Sequence, residues 1–169
     1  YLVFQDCEVH DYTGVAGIGS LYCQNKMLIE GCRLYNQYHG ITDICVAIAV
    51  KTSITNSTIR GNEAIISEGI VFGGINSAFT RYEEYSLSEN NEICFNYFVN
   101  NSGGEVNVLN TNGNQLSTYY YRNTCVGPIT MKFINTEGYS NGPFIFDNNV
   151  IVNNDRGLSY HYTCGPNPQ

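Results

Sequence analysis

One short pattern of apolar and polar positions recurs six times along the chain. It is an apolar residue, two residues, Asn or Cys, one residue, then a small or apolar residue. The copies are Phe4…Cys7…Val9, Ile29…Cys32…Leu34, Ile59…Asn62…Ala64, Ile93…Asn96…Phe98, Tyr120…Asn123…Cys125 and Phe146…Asn149…Ile151. Their anchors, at 7, 32, 62, 96, 123 and 149, are 25, 30, 34, 27 and 26 residues apart. A second strand-like segment follows most anchors: 17–21, 47–51, 69–73, 105–109, 129–133 and 158–162. Each is short, partly β-branched or aromatic, and bounded by Gly, Asn or Ser, which is strand chemistry with turn punctuation.

A repeat of this length predicts stacked units, each burying its apolar face against the next. Strands stacked in parallel put like positions above one another, about 4.8 Å apart. An inward Asn at a bend can then hydrogen-bond to the Asn of the next coil. Asn62, Asn96, Asn123 and Asn149 are expected to form such a ladder, with Cys7 and Cys32 replacing it in the first two coils. Those two cysteines are placed either for a disulfide or for a stack of thiols. Leucine-rich repeats are excluded by the scarcity of Leu. Helical repeats need a 3.6-residue period that no long window shows, and a β-sandwich would not explain a shared Asn position.

Composition agrees with strands. The chain has 169 residues, enough for one domain with a substantial core, and is 43% hydrophobic but only 14% charged. The net charge of −7, with no Lys/Arg cluster, argues against a nucleic-acid partner. No apolar stretch approaches the roughly 20 residues of a membrane span. The seven cysteines form no Cys-x-x-Cys, so a zinc ribbon or thioredoxin-type site is not supported. The 14 Tyr and 8 Phe suit sugar binding as well as a core. Two glycosylation-type sequons occur, Asn56-Ser57-Thr58 and Asn100-Asn101-Ser102.

The second strand can be phased. With Ile18, Ile48, Ile70, Val106, Ile129 and Leu158 inward, alternation turns their neighbours outward. One outward column is then Gly19, Ala49, Val71, Asn107, Thr130 and Ser159, and the next is Leu21, Lys51, Gly73, Leu109, Lys132 and His161. Glu105 lies outward beside Asn107. Lys132 and His161 are expected about 5 Å apart, with Lys51 about 14 Å from Lys132. That spacing allows one groove and forbids one proton-transfer centre.

The stretches Ala47-Ile48-Ala49-Val50-Lys51, Ser57-Thr58-Ile59-Arg60-Gly61-Asn62, Gly69-Ile70-Val71-Phe72-Gly73-Gly74 and Phe144 through Asn154 resemble the repeats of the pectate-lyase-like superfamily. The resemblance covers nearly the whole chain. It implies an all-β, right-handed parallel β-helix, a solenoid of about six coils, spanning residues 1–169 as a single domain. Neither end offers an amphipathic cap, so the chain reads as a fragment of a longer solenoid, with neighbouring coils or subunits expected at its open ends. The resemblance implies a polysaccharide partner and a secreted or cell-surface location.

In such lyases a Lys or Arg removes the proton α to a uronate carboxylate, and a second cation or calcium neutralises that carboxylate. By resemblance, Lys51 is the candidate base, with Lys132 and His161 as further candidate catalytic residues of the groove. Glu105, Asn107, Arg81 and Tyr82 are candidate substrate-binding residues. No cofactor is expected. Calcium has no clear site, because Asp6, Asp11, Asp43, Asp147 and Asp155 are scattered.

A hydrolase would need two carboxylates at a defined separation. The adjacent pair Glu83-Glu84 falls in a long insertion, Asn76 to Glu89, with Arg81, Tyr82 and Tyr85. Such an insertion can build a binding face, but neighbours in a loop rarely converge on one bond. If the chain is catalytic, lyase is favoured over hydrolase. His10-Asp11 and His39…Asp43 lack the helical context of a metalloprotease motif. The competing function class is a non-catalytic β-helix: an adhesin, fibre or glycan-binding stalk.

Overall fold

The six-fold pattern reappears as backbone pairing. The computed structural model describes residues 1–11, 16–20, 24–35, 46–50, 54–66, 72–77, 87–101, 106–112, 114–127, 129–134, 144–152 and 160–163. Among them the structure is all-β, in three parallel sheets. The first sheet runs β1 (Leu2–Gln5), β5 (Met27–Glu30), β9 (Thr58–Arg60), β12 (Leu87–Cys94), β15 (Asn114–Tyr121) and β18 (Phe144–Asp147). Two short strands, β4 (Gln24–Asn25) and β8 (Ile54–Thr55), extend it.

The second sheet runs β2 (Glu8–His10), β6 (Arg33–Tyr35), β10 (Glu63–Ile66), β13 (Tyr97–Asn100), β16 (Thr124–Val126) and β19 (Val150–Val152). The third runs β3 (Ala16–Ser20), β7 (Val46–Val50), β11 (Phe72–Ser77), β14 (Val106–Asn112), β17 (Ile129–Ile134) and β20 (Tyr160–Thr163). The chain therefore visits the three sheets in the same rotation six times, and each strand pairs with its counterpart one round later. Among the described residues no helix is long and apolar enough to cross a membrane.

The apolar positions of the repeat stack row upon row. Phe4, Ile29, Ile59, Ile93, Tyr120 and Phe146 are in register across the first sheet. Val9, Leu34, Ala64, Phe98, Cys125 and Ile151 are in register across the second. Ile29, Ile59, Phe98, Tyr120 and Cys125 are all but inaccessible to solvent. Burying a large aliphatic or aromatic side chain this fully contributes about 1.5–3 kcal/mol. Burial also pushes the Cys125 thiol up to about 12 and raises the Tyr120 phenol.

Between the two rows sits the polar ladder. Asn62, Asn96 and Asn123 are buried. Each Oδ1 accepts from the backbone N–H one coil back: Cys32 at 2.9 Å, Asn62 at 3.1 Å and Asn96 at 3.1 Å. Each Nδ2 donates to the next Asn Oδ1, at 2.9 Å throughout, and to a strand carbonyl of the preceding coil. Asn149 closes the row, accepting from Asn123 and donating to the Tyr120 carbonyl at 3.0 Å. Cys7 and Cys32 occupy the same position as free thiols, which decides between the disulfide and the thiol stack.

The residue before each anchor lies in the left-handed region: Asp6 (φ 53), Gly31 (64), Gly61 (63), Phe95 (57), Arg122 (53) and Asn148 (51). Gly, Asp and Asn tolerate this geometry, whereas Phe and Arg are strained by it. Coil-to-coil hydrogen bonds run straight through the bend and impose it. The Phe95 N–H donates to the Tyr121 carbonyl at 3.3 Å and the Arg122 N–H to the Asp147 carbonyl at 3.1 Å.

Candidate functional site

Of the candidate residues, Lys51, Arg81, Tyr82 and Glu105 lie outside the described residues, as do Glu83 and Glu84. Asn107, Lys132 and His161 lie on β14, β17 and β20 of the third sheet. Lys132 and His161 are backbone partners, one strand spacing of about 4.8 Å apart. Their row continues through Asn110 and Asn76 to Ala49 and Gly19. Ala49, not Lys51, therefore shares the row of Lys132. Asn107 falls in a different row, between Phe72 and Thr130.

The cause is a pair of register shifts, at Phe72/Ile75 and at Asn107/Leu109. Each inserts unmatched residues and defeats simple alternation. By backbone register Ile18 and Ile48, both buried, share a row with Ile75, Leu109 and Met131, whereas alternation had assigned Val106 and Ile129 to that row. Strand β11 extends to Ser77 and β12 starts at Leu87, so the expected insertion from Asn76 to Glu89 is shorter than its sequence limits.

Among the described residues, side chains gather on the outward face of the first sheet. Alternation about inward Ile93 and Tyr120 turns Glu92, Tyr119 and Tyr121 outward, and the αL bends add Phe95 and Arg122. Phe95 is 51% exposed and meets Tyr121 edge to face, with ring centroids 5.8 Å apart. The Arg122 guanidinium lies 5.6 Å from the centre of the Phe95 ring. The Tyr121 hydroxyl donates to Glu92 Oε2 at 3.4 Å. Its hydrogen bond with Cys94, followed by burial, pushes the phenol up to about 12. Cys94 is itself raised by burial.

The same rows continue into earlier coils. Leu28, Thr58, Glu92 and Tyr119 are in register, as are Glu30, Arg60, Cys94 and Tyr121. Arg60 pairs with Glu30 at 2.6 Å. A groove of about 470 Å³ opens at this earlier end, lined by Tyr1, Lys26, Met27, Leu28, Asn56 and Thr58. Phasing the first strand, in addition to the second, is the sequence operation that would have found this face.

A second polar cluster lies on the second sheet. His10 Nδ1 sits 2.7 Å from Asp11 Oδ2, and its ring stacks on Tyr35 at 5.1 Å. The Tyr35 hydroxyl donates to Glu8 at 2.6 Å, which is the main cause of its raised pKa. Arg33 donates to Glu63 at 2.7 Å. The Tyr35–Glu8 and Arg33–Glu63 contacts join adjacent coils, an arrangement suited to tying coils together. Among the described residues no three His, Cys, Asp or Glu side chains converge as metal ligands.

Comparison with family models, with curated proteins and with solved structures finds no match.

Proposed function

We propose that the chain forms six coils of a right-handed parallel β-helix of the pectate-lyase-like kind, and that it binds an extended polysaccharide along the outward face of its first sheet. The six-fold rotation through three parallel sheets supports the coil architecture. The cluster Glu92, Phe95, Tyr119, Tyr121 and Arg122 carries the binding role. A pyranose ring has an apolar C–H face that packs on aromatic rings, while its hydroxyls seek carboxylates and guanidinium groups. The same rows carry the Glu30–Arg60 pair on the earlier coils, so polar and aromatic groups follow one another along a line, which suits a polymer. A secreted or cell-surface location belongs to the same reading, because such polymers are met there.

Affinity electrophoresis in gels containing neutral or acidic polysaccharides tests the reading. Retardation by at least one polymer is expected, weakened by Tyr121→Ala and by Arg122→Gly with folding intact. Migration unchanged in every polymer would refute it.

The backbone pairing of Lys132 with His161 favours a second reading, in which the third sheet also cleaves an acidic glycan as a lyase. Two basic side chains one coil apart could divide proton abstraction and carboxylate neutralisation between them. Lys51 stays the alternative base. Ultraviolet absorbance from an unsaturated uronate product, lost in Lys132→Ala or Lys51→Ala, would support cleavage. Binding without any such product would leave the non-catalytic stalk.

A further inference from the structure

We infer that Asn56 is an N-glycan acceptor and that the other sequon, at Asn100, is silent. The inference rests on the secreted location proposed above. Both sequons satisfy the sequence rule, with a hydroxyl residue two positions on and no proline between. Their surroundings separate them. Asn56 is exposed, in the left-handed region (φ 49) at a bend between β8 and β9. Asn100 is only 6% exposed within β13. Its backbone oxygen lies 2.6 Å from where a Cβ on Gly127 would stand, so the next coil presses directly against it. A sugar on Asn100 would have to displace that coil.

Modification at Asn56 leaves its existing contacts in place. Asn56 Nδ2 donates to Asn25 Oδ1 at 3.0 Å, and Asn56 Oδ1 accepts from Asn90 Nδ2 at 2.8 Å. In the transfer, Nδ2 forms a bond to the anomeric carbon of a lipid-diphosphate-linked oligosaccharide. The bond from that carbon to the diphosphate oxygen breaks, the lipid diphosphate leaves and Nδ2 loses one proton. The substituted amide keeps one N–H for Asn25 and its oxygen for Asn90. Asn56 also lines the groove beside Tyr1, Lys26 and Thr58, which gives the first sugars space to lie. The glycan would then cover the early end of the first sheet's outward face and leave the Phe95–Tyr121 end open.

The test is secretion of the chain, behind an added signal peptide, from a eukaryotic cell, followed by peptide mass spectrometry with and without peptide N-glycosidase. Glycan is expected on the Asn56 peptide and none on the Asn100 peptide. Asn56→Gln and Thr58→Ala should each abolish it, the latter leaving the Asn25–Asn56–Asn90 contacts intact, while Asn100→Gln should not change it. Secreted, folded protein with bare Asn56, or with glycan on Asn100, would overturn the inference. Because the signal is supplied, a bare Asn56 refutes the acceptor alone; the polysaccharide reading is judged by its own gel experiment.

Discussion

Removing the Asn96 side chain should be among the most damaging single truncations in the molecule, though it deletes only a small polar group. The side chain takes part in four hydrogen bonds: from the Asn62 N–H, from Asn62 Nδ2, to the Ile59 carbonyl and to Asn123 Oδ1. In Asn96→Ala the Asn62 N–H loses the acceptor described for it, in a position 2% exposed. Asn62 Nδ2 and Asn123 Oδ1 each keep one bond, to Ile29 and from the Asn96 N–H. An unsatisfied buried group costs about 1–3 kcal/mol and each further lost bond about 0.5–1.5, so the total comes to about 3–5 kcal/mol. Asn25→Ala removes exposed amide contacts to Thr55 and Asn56. Water replaces those, and the cost should stay near about 0.5 kcal/mol. Urea denaturation followed by circular dichroism measures both. A loss below about 1 kcal/mol for Asn96→Ala, or equal losses for the two variants, would refute the ladder as a source of stability.

The glycines and the buried thiol give further tests. Gly61 needs its positive φ, and a Cβ there would meet only the Gly31 nitrogen at an unstrained 3.9 Å, so Gly61→Ala should cost about 1–2 kcal/mol by urea denaturation. Gly127 combines φ +100 with backbone at 2.6 Å from a Cβ, and Gly127→Ala should cost about 3–5 kcal/mol. The Cys125 thiol is held at about 12 by burial, whereas the unfolded chain ionises it from about pH 8.5. A raised folded pKa means that the neutral thiol's stabilisation is complete below the unfolded value and is lost as pH rises toward the folded one. Stability should therefore fall between about pH 9 and 12, and Cys125→Ala should flatten that slope in an alkaline denaturation series. In the native protein at pH 8, iodoacetamide should leave Cys125 unmodified.

Four of the six anchors were legible because an inward Asn carries a signal that a merely apolar position does not, and Cys7 and Cys32 followed from the shared apolar frame. A buried amide must have partners, so its place in the coil repeats even where spacing varies from 26 to 34 residues. The third sheet was misaligned because two bulges were read as ordinary strand: the first is signalled by Gly73-Gly74 between Phe72 and Ile75, while Asn107/Leu109 carries no glycine to mark it. The left-handed column was written in four of its six positions, Asp6, Gly31, Gly61 and Asn148, and hidden by Phe95 and Arg122, where hydrogen bonds between coils override local preference. A companion polar row, in which Ser57 accepts from the Met27 N–H and Asn91 accepts from the Ser57 N–H, was missed because Ser and Asn there look like turn residues. The face bearing Tyr119 and Tyr121 was readable from the same alternation that placed Tyr120 inside.

The coil stack stands or falls on whether Asn62, Asn96, Asn123 and Asn149 lie directly above one another. Nuclear Overhauser contacts between side-chain amides, with their hydrogen-exchange rates, test this in solution. Consecutive contacts from 62 to 96, 96 to 123 and 123 to 149 are expected, with slow exchange at Asn62, Asn96 and Asn123. Rapid exchange at those three, or contacts linking them in any other order, would contradict the account.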